Sequence, residues 1–162
     1  MKNKPEKNAE AVIYKASLEE LLPVLQETVA AGGSFHFRPS GNSMKPFIRP
    51  GTDSVRVVKA EKLKKYDIVL YRRKSGQFVL HRIMHTDSEG CIMCGDNQWT
   101  LEPGITEDMI LAKVSDIYRK SRAVSCSSKL YMACVRIWCG LFVFRKLYLR
   151  LRSSAAKLIK GK

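Results

Sequence analysis

Single-residue alternation of apolar and polar positions marks strands through the middle of this chain, and a longer period marks helices at both ends. Residues 34–38 and 53–58 alternate one by one, the period of a half-buried strand. Residues 67–73 and 77–84 are β-rich runs joined by Lys74-Ser75-Gly76, which predicts a hairpin. Residues 91–94 read as a short strand and 110–118 as a longer one. No strand–helix–strand alternation occurs, which disfavours a parallel α/β sheet. The expectation is a mainly β domain over residues 34–122, with irregular loops and flanking N- and C-terminal helices.

Residues 1–33 read as a mobile polar arm (1–12) followed by an amphipathic helix. Ser17-Leu18-Glu19-Glu20 fits a capping box, in which Ser17 and Glu20 satisfy each other's free backbone donors. Leu18, Leu21, Leu22, Leu25 and Val29 follow at helical spacing, Pro23 is a candidate kink, and Gly32-Gly33 ends the run. Packing against the domain is the favoured role for this helix, ahead of docking to a partner. At the other end, residues 123–162 form a basic, aromatic tail. Its 130–144 segment is apolar except for Arg136, and basic residues at 145, 146, 150, 152, 157, 160 and 162 follow with no acid among them.

Charge changes this picture. The chain has 162 residues and a net charge of +14, which calls for an anionic neighbour, nucleic acid or lipid. Residues 1–112 hold 16 basic and 14 acidic side chains, whereas 113–162 hold 13 basic and only Asp116. The basic character therefore belongs to the tail, and no nucleic acid is expected on the main domain. Aromatics and leucines interleaved with Lys and Arg describe a helix lying in a lipid headgroup layer, so the tail, residues 129–162, is expected to meet an anionic membrane. The polar start, residues 1–10, lacks the apolar core of a secretory signal, and no stretch reaches the roughly 18 apolar residues of a transmembrane helix.

Five cysteines, at 91, 94, 126, 134 and 139, are an odd set with three in the tail, so reduced thiols are expected. Cys91-x-x-Cys94 has no second pair, and only His81 and His85 lie near, so two small buried strand residues are favoured over zinc. No metal or cofactor is expected.

Three stretches carry candidate chemistry. The first, Ser40-Gly41-Asn42-Ser43-Met44-Lys45-Pro46, holds a serine in a tight turn where backbone N–H groups can face an oxyanion. A serine needs a base within hydrogen-bond reach to act as a nucleophile. The second, Phe78-Val79-Leu80-His81-Arg82-Ile83, places His81 on a paired strand, and its imidazole titrates near neutrality. The third, Gly95-Asp96-Asn97 through Glu102, offers Asp96 and Glu102 as acids that could orient the histidine. Asp96 could equally hold its own turn.

In that order and spacing, GNSMKPFIRPG, the pair YDIVLYRR and FVLHRI, and GDN resemble the signal peptidase I family over about residues 34–120. His81 followed by Arg82 looks like the histidine-base branch of endoplasmic-reticulum, archaeal and sporulating-bacterial enzymes. The resemblance implies the β-fold peptidase domain that signal peptidases share with SOS repressors. It implies Ser43 as nucleophile and His81 as general base, and puts the acid six residues past Asp96, at Glu102, where the family usually has aspartate. Gly41 stands where many relatives have a hydroxyl nearby, so the oxyanion hole would rest on the Ser43 N–H and Ser40, with Asn42 beside them. Met44 and Pro46 would face the small residues before the cut.

The implied activity is that of a serine endopeptidase acting on signal or leader peptides of membrane-delivered precursors, with the basic tail replacing the family's N-terminal anchor. Two alternatives are a self-cleaving peptidase of SOS-repressor type, which has lysine at the position of His81, and a membrane- or nucleic-acid-binding module with a decayed site.

Overall fold

A computed structural model describes residues 18–120 and 122–148. The arm, the Ser17 cap and residues 149–162 of the tail lie outside the described residues. The element order is α1 (Leu18–Ala30), β1 (Phe35–Phe37), β2 (Asp53–Val58), β3 (Ile68–Arg72), β4 (Phe78–Asp87), β5 (Gly90–Cys94), β6 (Glu102–Ile105), β7 (Ile110–Arg119), β8 (Arg122–Ser125) and α2 (Lys129–Gly140). The strands form one antiparallel sheet in the order β1-β2-β7-β3-β4-β5-β6, with β8 also on β7. The chain is thus mainly β.

The local signals explain most of these elements. Strand β2 buries every second residue, as its alternation predicts. The β3–β4 hairpin closes at Gly76, whose φ of 88° suits a glycine, and the Arg73 N–H donates to the Gln77 carbonyl. Helix α1 runs through Pro23 and ends at Gly32 (φ 79°), with the Gly33 N–H donating to Thr28 O and the Gly32 N–H to Val29 O. Strands β6 and β8 have no counterpart in the sequence reading. Strand β6 contains Pro103 and Gly104, which hide an edge strand from a pattern search.

Two cores lie on opposite faces of the sheet. In the larger, Val55, Val57, Ile68, Leu70, Leu80, Val114 and Ile117 meet Leu25 and Val29 of α1 and Tyr131, Val135 and Cys139 of α2. In the smaller, Val69, Tyr71, Val79, Ile83, Cys91, Met93 and Ile105 pack together. Both faces of β3 are covered, which is why its sequence is a continuous apolar run. Helix α1 packs as expected. Strand β8 runs across residues 122 and 123, and the inner side of α2 belongs to the main core.

The outer side of α2 differs. Leu130, Ile137, Leu141, Phe144 and Tyr148 are exposed at successive helical spacings, on α2 and the helical residues 142–148. Among the described residues no helix is long and apolar enough to cross a membrane. All five cysteines are free, and Cys91 and Cys94 are buried strand residues.

Candidate functional site

The Ser43 loop joins β1 to β2 and is fixed from beneath. Met44 and Ile48 are buried in the main core, and the Ile48 N–H donates to Met44 O at 2.9 Å. Met44 is therefore an anchor of the loop, in place of the substrate-facing role expected for it. Asp53, fully buried at the loop's far end, accepts from the Arg49 N–H (3.0 Å), the Arg49 guanidinium (2.8 Å) and Arg119 (3.3 Å). Burial pushes the Asp53 carboxyl up, but the hydrogen bonds from Arg49 and the charges of Arg119 and Arg49 together outweigh it and hold the group below the usual carboxylate range. Ser40, Gly41, Asn42 and Pro46 are exposed and Ser43 is half-buried.

The β5–β6 loop supports Ser43 from the side. The Asn97 N–H donates to Ser43 O at 2.7 Å and Asn97 Nδ2 to Asn42 O at 3.2 Å. A Cβ at Gly95 would lie 2.8 Å from Ser43 O, so the close approach of these two loops requires glycine there. Cys94 pairs with Arg82, so this loop leaves the sheet level with His81.

His81 and Arg82 are neighbours on β4 and point to opposite faces. His81 is 4% exposed and pairs with Val69. Tyr71, its diagonal neighbour on the same face, brings its hydroxyl to 3.2 Å from His81 Nδ1. That hydroxyl also donates to Glu102 Oε2 at 2.8 Å. Register puts Glu102 on this face too, since Glu102 pairs with Met93 and Met93 with Ile83. Strands β3 and β6 are three steps apart, about 14 Å in a flat sheet. Tyr71 and Glu102 meet because the sheet curls around the smaller core. Arg73, one residue beyond β3, grips Glu102 with Nε on Oε1 (2.6 Å) and a second nitrogen on Oε2.

Burial pushes the His81 imidazole down to about 4, with the Glu102 charge opposing and Arg73 adding to the effect. His81 is therefore neutral at pH 7, the state a general base requires. Arg73 holds the Glu102 carboxyl below its ordinary range, so that carboxylate is ionised. Burial and the adjacent Glu102 raise the Tyr71 hydroxyl, which stays protonated.

Asp96 has other partners. Arg82 Nε donates to Asp96 Oδ1 (2.8 Å) and Arg82 Nη2 to Asp96 Oδ2 (2.7 Å), with both side chains essentially buried. Arg82 also donates to Tyr66 O (2.7 Å) and Tyr131 Oη (3.1 Å) and lies over the Phe47 ring. Trp138 Nε1 donates to Asp96 O (2.9 Å), so α2 is clasped onto the same loop that supports Ser43. Asp96 is thus the partner of Arg82, and the structure brings Glu102 to His81 through Tyr71.

A groove of about 670 Å³ opens beside this array, lined by Arg73, Glu102, Pro103 and residues 97–101. Among the described residues, the Ser43 hydroxyl makes no hydrogen bond to His81; the β5–β6 loop links their neighbourhoods. No group of three or more His, Cys, Asp or Glu side chains arranged to hold a metal occurs among the described residues.

Tyr71, Arg73 and Arg82 were missed as site residues by sequence reasoning. A signal existed for Tyr71: a short hairpin loop sets the β3–β4 register, and that register makes it diagonal to His81. Nothing local pointed to Arg73 with Glu102, which are 29 residues apart. No family model matches the chain, and no curated protein or solved structure matches it.

Proposed function

We propose that this chain is a serine endopeptidase, similar to type I signal peptidase, that cuts signal or leader peptides at a membrane. The observation that carries the reading is His81, buried, neutral and tied through Tyr71 to an ionised Glu102, which follows the β5–β6 loop whose Asn97 N–H holds Ser43 O.

Ser43 Oγ attacks the scissile carbonyl carbon and the imidazole takes its proton. Backbone N–H groups of the 40–46 turn hold the oxyanion. The tetrahedral intermediate collapses, the C–N bond breaks, and the imidazolium protonates the leaving amine. Water then attacks the acyl-Ser43 ester, with His81 again as base, releasing the acid and restoring the hydroxyl. The mechanism requires a Ser43–His81 hydrogen bond in the substrate complex. The exposed stripe Leu130, Ile137, Leu141, Phe144 and Tyr148, set among basic residues with no acid, meets an anionic lipid surface.

Purified protein treated with a fluorophosphonate probe and with leader peptides in anionic vesicles tests this. Labelling and cleavage are expected, with both lost in Ser43→Ala and cleavage falling about 10⁴-fold in His81→Ala. Cleavage at the wild-type rate by Ser43→Ala overturns the reading. The open Ser43–His81 contact favours one other reading, a membrane-binding module without activity. An unlabelled Ser43 with intact vesicle binding would establish it. Cleavage confined to the chain itself points to a self-processing peptidase.

A further inference from the structure

Tyr71 sits between a histidine and a carboxylate, and its hydroxyl has one proton to give. The two acceptors compete unequally. Glu102 Oε2 is ionised, gripped by Arg73 and 2.8 Å away, whereas His81 Nδ1 is 3.2 Å away. If the hydroxyl turned toward Nδ1, its oxygen would face the carboxylate at 2.8 Å with no proton between them, an uncompensated repulsion. The proton therefore goes to Glu102. The phenol oxygen is left as an acceptor, and the only donor His81 can offer it is Nδ1–H. Neutral imidazole carries a single N–H, and with that proton on Nδ1 the Nε2 lone pair is bare.

We infer that Tyr71 is a positioning residue that holds His81 in the Nδ1–H form, presenting the Nε2 lone pair as the base and relaying the Glu102 charge to the imidazole. This rests on the peptidase reading for its consequence in catalysis, but the proton assignment stands by itself. The usual arrangement has a carboxylate in direct contact with Nδ1. Here the tyrosine extends the reach of Glu102 across the curl of the sheet, and β3 contributes the middle member of a four-part chain, Arg73–Glu102–Tyr71–His81. When Nε2 takes the Ser43 proton, the imidazolium charge is met through one hydroxyl, whose proton remains on the Glu102 side.

Nitrogen-15 long-range NMR of the His81 ring in the full chain at pH 7 tests this directly. Wild type is expected to show a protonated Nδ1 and a bare Nε2. In Tyr71→Phe, which keeps the ring that packs in the smaller core, the Nδ1–H form is expected to lose its preference. On a leader peptide that wild type cleaves, Tyr71→Phe is expected to lower kcat about 100-fold with KM within roughly threefold, because base strength and geometry are lost and binding is kept. A wild-type ring carrying Nε2–H overturns the inference, even if Tyr71→Phe fails to fold. So does a folded Tyr71→Phe that keeps both the Nδ1–H form and the wild-type kcat. If no peptide is cleaved by wild type, the peptidase reading fails, and the ring spectra still decide the proton assignment.

Discussion

Two adjacent residues on β4 meet carboxylates in opposite ways. Arg82 reaches Asp96 directly, through two short hydrogen bonds, in a pair with no exposure on the arginine, roofed by Phe47 and Tyr131. His81 reaches Glu102 only through Tyr71, and Glu102 with Arg73 lines an open groove. The His81–Tyr71 contact is diagonal across β4 and β3, and Asp96 lies two residues beyond Cys94, the register partner of Arg82. The two arrangements differ in what water can do. A charge pair sealed from solvent is costly to break and cannot exchange protons, so it fixes geometry. A neutral imidazole with one nitrogen engaged, linked through one hydroxyl to a carboxylate that lines a groove, can give and take a proton. The first pair ties β4, the β5–β6 loop and α2 together, and the second uses the loop so placed.

That division predicts separable losses. His81→Gln, which keeps most of the buried volume, removes turnover while the melting temperature stays within a few degrees. Asp96→Asn leaves a buried guanidinium without its charge partner and costs about 3–5 kcal/mol of stability, read as a fall in denaturation midpoint. Its folded fraction keeps labelling Ser43. Loss of probe labelling in fully folded Asp96→Asn would show that the structural pair also takes part in the chemistry.

Acid sharpens the same contrast. The unfolded His81 titrates near 6.5 and the folded one near 4. As pH falls from 6.5 to 4 the unfolded chain binds a proton that the folded chain refuses. His81 thereby removes roughly 3 kcal/mol of stability across that window and nothing further below it. The acid limb of kcat/KM is expected near pH 4, and a limb at 6.5 would mean that the imidazole is solvated. Stability curves of wild type and His81→Gln between pH 4 and 7 isolate the contribution.

The smallest effect belongs to the outer stripe. Ile137→Glu with Phe144→Glu places acid in a surface that has none, and binding to anionic vesicles is expected to fall about tenfold or more, given about 1 kcal/mol per charge near the surface. Cleavage of a soluble peptide and the melting temperature stay unchanged. Equal binding by the double variant removes the stripe from membrane contact.

Much of the fold was legible because its signals are local. Strand β2 and the β3–β4 hairpin follow from alternation and one Gly-centred turn, and α1 from apolar spacing closed by Gly32. Strands β6 and β8 were not: β6 carries Pro103 and Gly104, and β8 follows β7 with only residues 120 and 121 between them. The site was legible in part. Ser43, His81 and Glu102 were singled out by residue type and spacing, as was Asp96. Which acid serves the histidine was not legible, because both stand in the same short stretch and differ only in the face on which the chain leaves them.

Sequence alone settled the strands that alternate, the split between a near-neutral domain and a basic C-terminal segment, and the residue types offered for chemistry. These depend on neighbours within a few positions. The tertiary structure settled who meets whom. It gave Asp96 to Arg82, brought Tyr71 and Arg73 to Glu102 by curling the sheet over a second core, and put one side of α2 into the main core while leaving the other bare. Those contacts span tens of residues along the chain, and they form only when register and curvature are set by the packing of the whole sheet.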